Sequence, residues 1–240
     1  MKKLIYILLF IMPFSVAASG AGVELEEADI DLSDTASLER GAQHFVTYCL
    51  GCHSAKHMRY KRIALDLNLD EKEVLKEITP YGANIYDQMH SAMNAHDATK
   101  WFGTNPPDLS LIARSRGADW LYSYLKGFYT DDSKPLGVNN IVFEDVGMPN
   151  VLWQLQGEQV PVIKQVDGQE VVTKLVLNEP GQLSPDEFDR MVNDLVNFLV
   201  YVGEPVQMER KAMGKYVLFF ILMFTIVAYL LKREYWKDIH

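Results

Sequence analysis

Cysteine is almost missing from this 240-residue sequence: there are two, Cys49 and Cys52. Two thiols allow one disulfide at most, and a closed zinc site built on them lacks its usual second ligand pair. Positive charge is also in deficit. Lys and Arg number 23 against 32 Asp and Glu, a net charge of −9. Such a chain repels phosphates, which argues against nucleic acid as a partner. Low-complexity runs and fixed-period repeats are absent as well, which leaves an ordinary globular composition.

What the sequence does have at its ends is hydrophobic. Lys2 and Lys3 precede an apolar run, which passes Pro13 into the small residues Ser15, Val16, Ala17 and Ala18. That is the pattern of a secretory leader, expected over residues 1–18. Its removal takes the charge from −9 to −11. Residues 216–231 carry no charge and present no polar face. With their flanks they predict a membrane anchor over 209–233, bounded by Lys215 and Lys232 with Tyr235 and Trp236 at one interface. Basic residues are balanced across the span, so the leader decides the orientation. A domain at 19–208 is expected in the periplasm, and a tail at 234–240 in the cytoplasm. Glu24, Glu26, Glu27, Asp29, Asp31 and Asp34 follow the leader as an acidic stretch, either a solvated flexible segment or a docking surface.

The cysteines stand in Cys49-Leu50-Gly51-Cys52-His53. C-x-x-C-H is the attachment pattern of a c-type haem. Residues three apart face the same way on a helical turn, so both thiols can reach one edge of a porphyrin. His53 then falls beneath the iron as an axial ligand. A disulfide leaves His53 unexplained. A zinc site drawing on Cys49, Cys52, His53 and His57 needs awkward geometry from adjacent residues. A thioredoxin-like motif needs a βαβ context, whereas this one ends a helix capped by Ser33 or Asp34, with Leu38, Ala42, Phe45 and Val46 on its apolar side.

Electron-transfer haems usually fill both axial positions, His with Met or His with His. Met58 is too near His53 to reach the opposite face. Met191 lies in an amphipathic helix, and Met89 and Met93 share a helical spacing. Met148 sits in Val146-Gly147-Met148-Pro149, where glycine permits close backbone approach and proline stiffens the exit. A plain turn has the same traits. Met89, Met93, His90 and His96 therefore stay open as alternatives on the residues alone.

Elsewhere, Pro106 and Pro107 begin a rigid turn into a helix-like run over 109–124. That run contains Arg114 and Arg116, either of which could pair with a haem propionate. Loose alternation over 162–177, with Asp167-Gly168 in the middle, predicts a β-hairpin. Ser184-Pro185-Asp186-Glu187 is a helix start with a capping box, and Gly203 and Pro205 end that helix. It should pack on the first helix.

Taken together, Cys49-Leu50-Gly51-Cys52-His53-Ser54 with Met58-Arg59-Tyr60, Pro106-Pro107-Asp108-Leu109-Ser110 with Arg114 and Arg116, and Gly147-Met148-Pro149 resemble the haem subunits of cytochrome bc1 complexes, the cytochrome c1 family. The resemblance runs through nearly the whole chain. It implies a mainly α, class I cytochrome c-like haem domain with loop and β-hairpin insertions, 65–78 among them, plus one C-terminal transmembrane helix. It implies one covalent haem c, with His53 and Met148 on the iron and Arg116 near a propionate. It gives Trp120 no role. The implied partners are cytochrome b, a Rieske iron–sulfur protein as donor and a soluble cytochrome c as acceptor, in a bacterial inner membrane whose lipid surrounds the anchor. A membrane-anchored monohaem subunit of a terminal oxidase or another reductase is the nearest alternative.

Overall fold

The computed structural model describes residues 23–80, 82–166 and 169–239. The expected leader and the Asp167-Gly168 turn lie outside the described residues. The chain folds as helices α1 (Thr35–His44), α2 (Tyr60–Leu67), α3 (Glu71–Glu77), α4 (Ala95–Phe102), α5 (Ile112–Arg116), α6 (Ala118–Lys126), α7 (Trp153–Gln156), α8 (Pro185–Gly203) and α9 (Gln207–Tyr235). Three two-stranded antiparallel ladders are set among them: β1 (Ala55–Arg59) with β2 (Gln88–Met89), β3 (Phe128–Thr130) with β4 (Val138–Asn140), and β5 (Gly157–Val166) with β6 (Gln169–Pro180). The mainly helical domain with hairpin insertions and one C-terminal apolar helix is therefore as expected.

The frame is the crossing of α1 and α8. Asp34 caps α1 by accepting the Ser37 amide at 3.0 Å. Ser184 and Glu187 form the expected capping box on α8, which satisfies amides that the first turn leaves without partners. Leu38, Ala42 and Phe45 bury themselves against Val192, Leu195 and Phe198. The rings of Phe45 and Phe198 lie 5.8 Å apart. Gly41 sits at the closest approach: a Cβ there would stand 2.1 Å from the Asp194 carbonyl oxygen. Beside it Arg40 grips Asp194 through two nitrogens, at 2.6 and 2.9 Å.

Several local readings are corrected. The run over 109–124 is two helices, because Gly117 takes φ 94° between α5 and α6, a conformation that favours glycine. Met89 is on a strand paired with Ala55, not on a helix face with Met93. The β5–β6 hairpin extends from Gly157 opposite Pro180 to Val166 opposite Gln169, well beyond the alternating segment. Most of its strand residues are exposed, so its ends need no apolar alternation.

The acidic segment after residue 23 is not a loose leader. The Glu26 amide donates to Ser123 Oγ, that of Ala28 to Asp119 Oδ1 and that of Asp29 to Asn193 Oδ1, each within 2.9 Å. These bonds lay the segment across α6 and α8 with its carboxylates outward. At the other end α9 has 29 residues, about 43 Å at 1.5 Å per residue, and none of them is buried in the chain. It is long and apolar enough to cross a bilayer.

Candidate functional site

Beyond α1 the helix widens into a π turn, Phe45–Cys49, in which the Leu50 amide donates to the Phe45 carbonyl at 2.9 Å. The Cys49 carbonyl then accepts both following amides, Cys52 at 3.0 Å and His53 at 2.8 Å. This tight turn gathers Cys49, Cys52 and His53 around one cleft. The two cysteines form no disulfide. Burial pushes the Cys49 thiol up to about 12, helped by its neighbour Cys52. Among the described residues no three His, Cys, Asp or Glu side chains are grouped to hold a metal ion.

His53 is anchored from behind. Its Nδ1 lies 2.8 Å from the carbonyl oxygen of Pro107. A carbonyl only accepts, so Nδ1 carries the proton and Nε2 keeps its lone pair for a metal. Burial lowers the imidazole pKa, with the Pro107 bond opposing, which favours the neutral form a ligand needs. The Pro107 carbonyl is itself held by a row of bonds between residues 54–57 and 108–110. The Leu109 amide donates to the Ser54 carbonyl at 2.7 Å, Lys56 to Asp108 Oδ2 at 3.0 Å and His57 to Ser110 Oγ at 3.1 Å. Pro106 and Pro107 line the cleft.

Met148 lines the same cleft from the loop after β4. Its sulfur accepts from the Tyr124 hydroxyl at 3.4 Å. The other candidates lie elsewhere: Met58 and Met89 are core residues almost without exposure, and Met191 is a buried residue of α8. Met93, His90 and His96 are not at the cleft, and both histidines are exposed. Arg116 is at the cleft, its guanidinium 4.9 Å from the centroid of Trp120 and 5.9 Å from that of Phe143. Arg114 instead packs toward Gly203.

The cleft wall that sequence reasoning missed is aromatic. Trp120 stacks on Tyr124 at 4.9 Å and 9°, and Phe143 meets Trp120 edge-on. The i,i+4 spacing of Trp120 and Tyr124 was the available signal. Including its open mouth, the cleft holds about 1310 Å3 of empty space. Two thiols, an imidazole and a thioether on one cleft with mostly apolar walls fit a large planar iron porphyrin.

The model of the Cytochrome C1 family matches residues 27–239. The chain belongs to the cytochrome c1 family. "Cytochrome c1" of Allochromatium vinosum is 50% identical over 244 aligned residues, covering all of both chains. "Ammonia monooxygenase gamma subunit" of Nitrosomonas europaea is 45% identical over 100% of this chain and 99% of that one. "Cytochrome c1, heme protein, mitochondrial" of Neurospora crassa is 29% identical over 85% of this chain and 62% of its own length. A chain of "Hyperthermophilic respiratory Complex III" aligns over 100% of this chain and 95% of its own, with 15% identity and a TM-score of 0.43, too distant to add to the family match. Family membership bears out the resemblance to bc1 haem subunits and the electron-transfer role in that complex, and disfavours the terminal-oxidase alternative. Haem is the cofactor that a cytochrome c1 carries, a membrane-anchored protein fits α9, and other subunits of its complex are its partners.

Proposed function

We propose that this chain would hold one covalent haem c, through thioethers at Cys49 and Cys52, with His53 and Met148 as the iron ligands. It passes single electrons from a Rieske iron–sulfur protein to a soluble cytochrome c, beside a cytochrome b in the same complex. The observation that carries the reading is the convergence of both thiols, His53 and Met148 on one apolar cleft. When bound, the haem supplies a one-electron iron couple.

The protein's own residues supply the rest. The Cys49–His53 turn would supply the two thioether sulfurs and one iron ligand, and Pro107 fixes the tautomer of His53. A neutral thioether from Met148 favours the ferrous state and so a high potential. Apolar walls exclude water and lower the local dielectric. Arg116, held at the mouth by two aromatic faces, can meet a propionate with its guanidinium fork. The exported domain faces the periplasm after loss of residues 1–18. Its anchor is 209–233, and its tail, 234–240, is in the cytoplasm of a bacterial cell.

The test is a denaturing gel stained for haem, with mass spectrometry of the mature chain. A stained band, lost in Cys49→Ser/Cys52→Ser, is expected. An unmodified pair of thiols in cells competent for haem attachment rejects the proposal. Purification in mild detergent should bring down a multi-haem cytochrome b and a Rieske protein, and their replacement by a copper–haem oxidase rejects the assigned complex.

A further inference from the structure

We propose that Tyr124 is a positioning residue for Met148: it aims the sulfur into the cleft and weakens it as an electron donor, which raises the potential of the site. The inference rests on Met148 being an axial ligand, as proposed above. Tyr124 holds the Met148 loop from two places. Its hydroxyl donates to Met148 Sδ at 3.4 Å. Its carbonyl accepts from Asn140 Nδ2 at 2.8 Å. Asn140 is buried, and its Oδ1 accepts the amides of Val142 at 2.9 Å and Phe143 at 3.2 Å. Asn139 Oδ1 accepts the Asp145 amide at 2.9 Å. The loop that presents Met148 is thus tied at its start to the end of α6, and at its ligand to a side chain of the same helix.

The phenol ring has little freedom to leave. It is stacked on Trp120 and meets Phe128 edge-on at 5.3 Å and 67°. A phenol, with an ordinary pKa of about 10, is protonated at physiological pH, so the hydroxyl has a proton to donate. A hydrogen bond to a thioether withdraws electron density from the sulfur. Ferric iron depends on that density more than ferrous iron does, so the bond favours reduction. Hydrogen bonds to a ligand are one of the few levers a protein has on a haem potential. A Leu or Phe at 124 could fill the same space; only the hydroxyl can do this.

The experiment uses the full-length haem-loaded protein in mild detergent, with Tyr124→Phe, which keeps the ring and its stack. The readouts are a redox titration and the sulfur-to-iron absorption band. We expect the haem to stay attached and the band to shift. The ferrous-to-ferric ratio at fixed ambient potential should fall about threefold, a drop of about 28 mV at 59 mV per decade. Tyr122→Phe, on the same helix but with its hydroxyl toward Lys126, should leave both unchanged. A Tyr124→Phe protein with the wild-type potential and band overturns the proposal while leaving Met148 as ligand. A wild-type protein without the band overturns the ligand assignment and this inference with it.

Discussion

The Nδ1 of His53 and the carbonyl oxygen of Pro107 stand 2.8 Å apart, and this bond ties the motif that names the chemistry to a proline pair more than fifty residues away. The carbonyl cannot drift while Asp108, Leu109 and Ser110 remain bonded to residues 54–57. Those bonds explain the Pro-Pro-Asp-Leu-Ser run in physical terms. Proline removes two donors and stiffens the chain, and Asp and Ser supply acceptors for the neighbouring amides.

Asp108→Ala should therefore loosen the mount of His53. Asp108 accepts the Lys56 and Ser110 amides, both at 3.0 Å. Their loss should cost about 1–3 kcal/mol, toward the low end because the site is only partly buried. Burial pushes the Asp108 carboxyl up, but the bonds from Ser110 and Lys56 outweigh it and hold the pKa below the usual carboxylate value. A depressed folded pKa adds stability that is present above the unfolded value, about 3.9, and is lost as pH falls through the folded value. The gap between wild type and Asp108→Ala in thermal unfolding should be full at pH 7 and shrink below pH 4. A gap independent of pH contradicts the assigned role.

Met148→His should leave the haem attached and lower the midpoint potential substantially, within the roughly 0.8 V that axial ligation spans. The sulfur-to-iron band should vanish. Imidazole is a stronger donor than a thioether and stabilises ferric iron, which fixes the sign. If spectrum and potential stay as they were, another group holds the iron, and Met93 becomes the first residue to replace.

Much of this site could be read from residue order. Cys49, Cys52 and His53 are adjacent, and local spacing alone gathers them. Ser184 and Glu187 announced their helix because a capping box is local chemistry. The rest depended on distance. Tyr124 reaches Met148 across 24 residues, and nothing in either neighbourhood signals the bond. The tight Gly41–Asp194 crossing is equally silent, since a glycine inside a helix reads only as a weak helix former. The docked acidic segment was ambiguous because its anchors are backbone amides, which sequence does not distinguish. Gly117, like the Trp120–Tyr124 spacing, was a readable signal: it sat inside an apparent helix and marked its break.

Gly41→Ala tests the frame that carries the haem turn. The added Cβ would meet the Asp194 carbonyl oxygen at 2.1 Å and Phe198 Cβ at 2.7 Å. Both obstacles lie close to the backbone of α8, so no side chain can swing aside. The cost should reach or exceed the ~1–3 kcal/mol of ordinary overpacking. Thermal unfolding and yield of haem-loaded protein are the measurements. A variant as stable as wild type means the two helices do not cross this closely.

Lys126 offers the last test, of what holds the acidic segment down. Its ammonium lies 2.5 Å from Glu26 Oε2 and 2.9 Å from Asp189 Oδ1, over the ring of Tyr122. Burial pushes the lysine pKa down, but the bonds to Glu26, Asp189 and Tyr122 outweigh it and leave the group above its usual range. A raised folded pKa adds stability that is complete below the unfolded value, near 10.4, and is lost only as pH rises through the folded one. The clasp should thus be constant between pH 6 and 9. Lys126→Ala should free the segment without unfolding the domain, because Glu26 is exposed and such pairs contribute about 1 kcal/mol or less. That predicts up to several-fold faster hydrogen exchange at the amides of Glu26 and Ala28, which bond to side chains of the same helix. The Asp29 amide bonds to Asn193 on α8 and should respond less. Equal exchange in variant and wild type at all three amides would mean that the backbone bonds hold the segment by themselves.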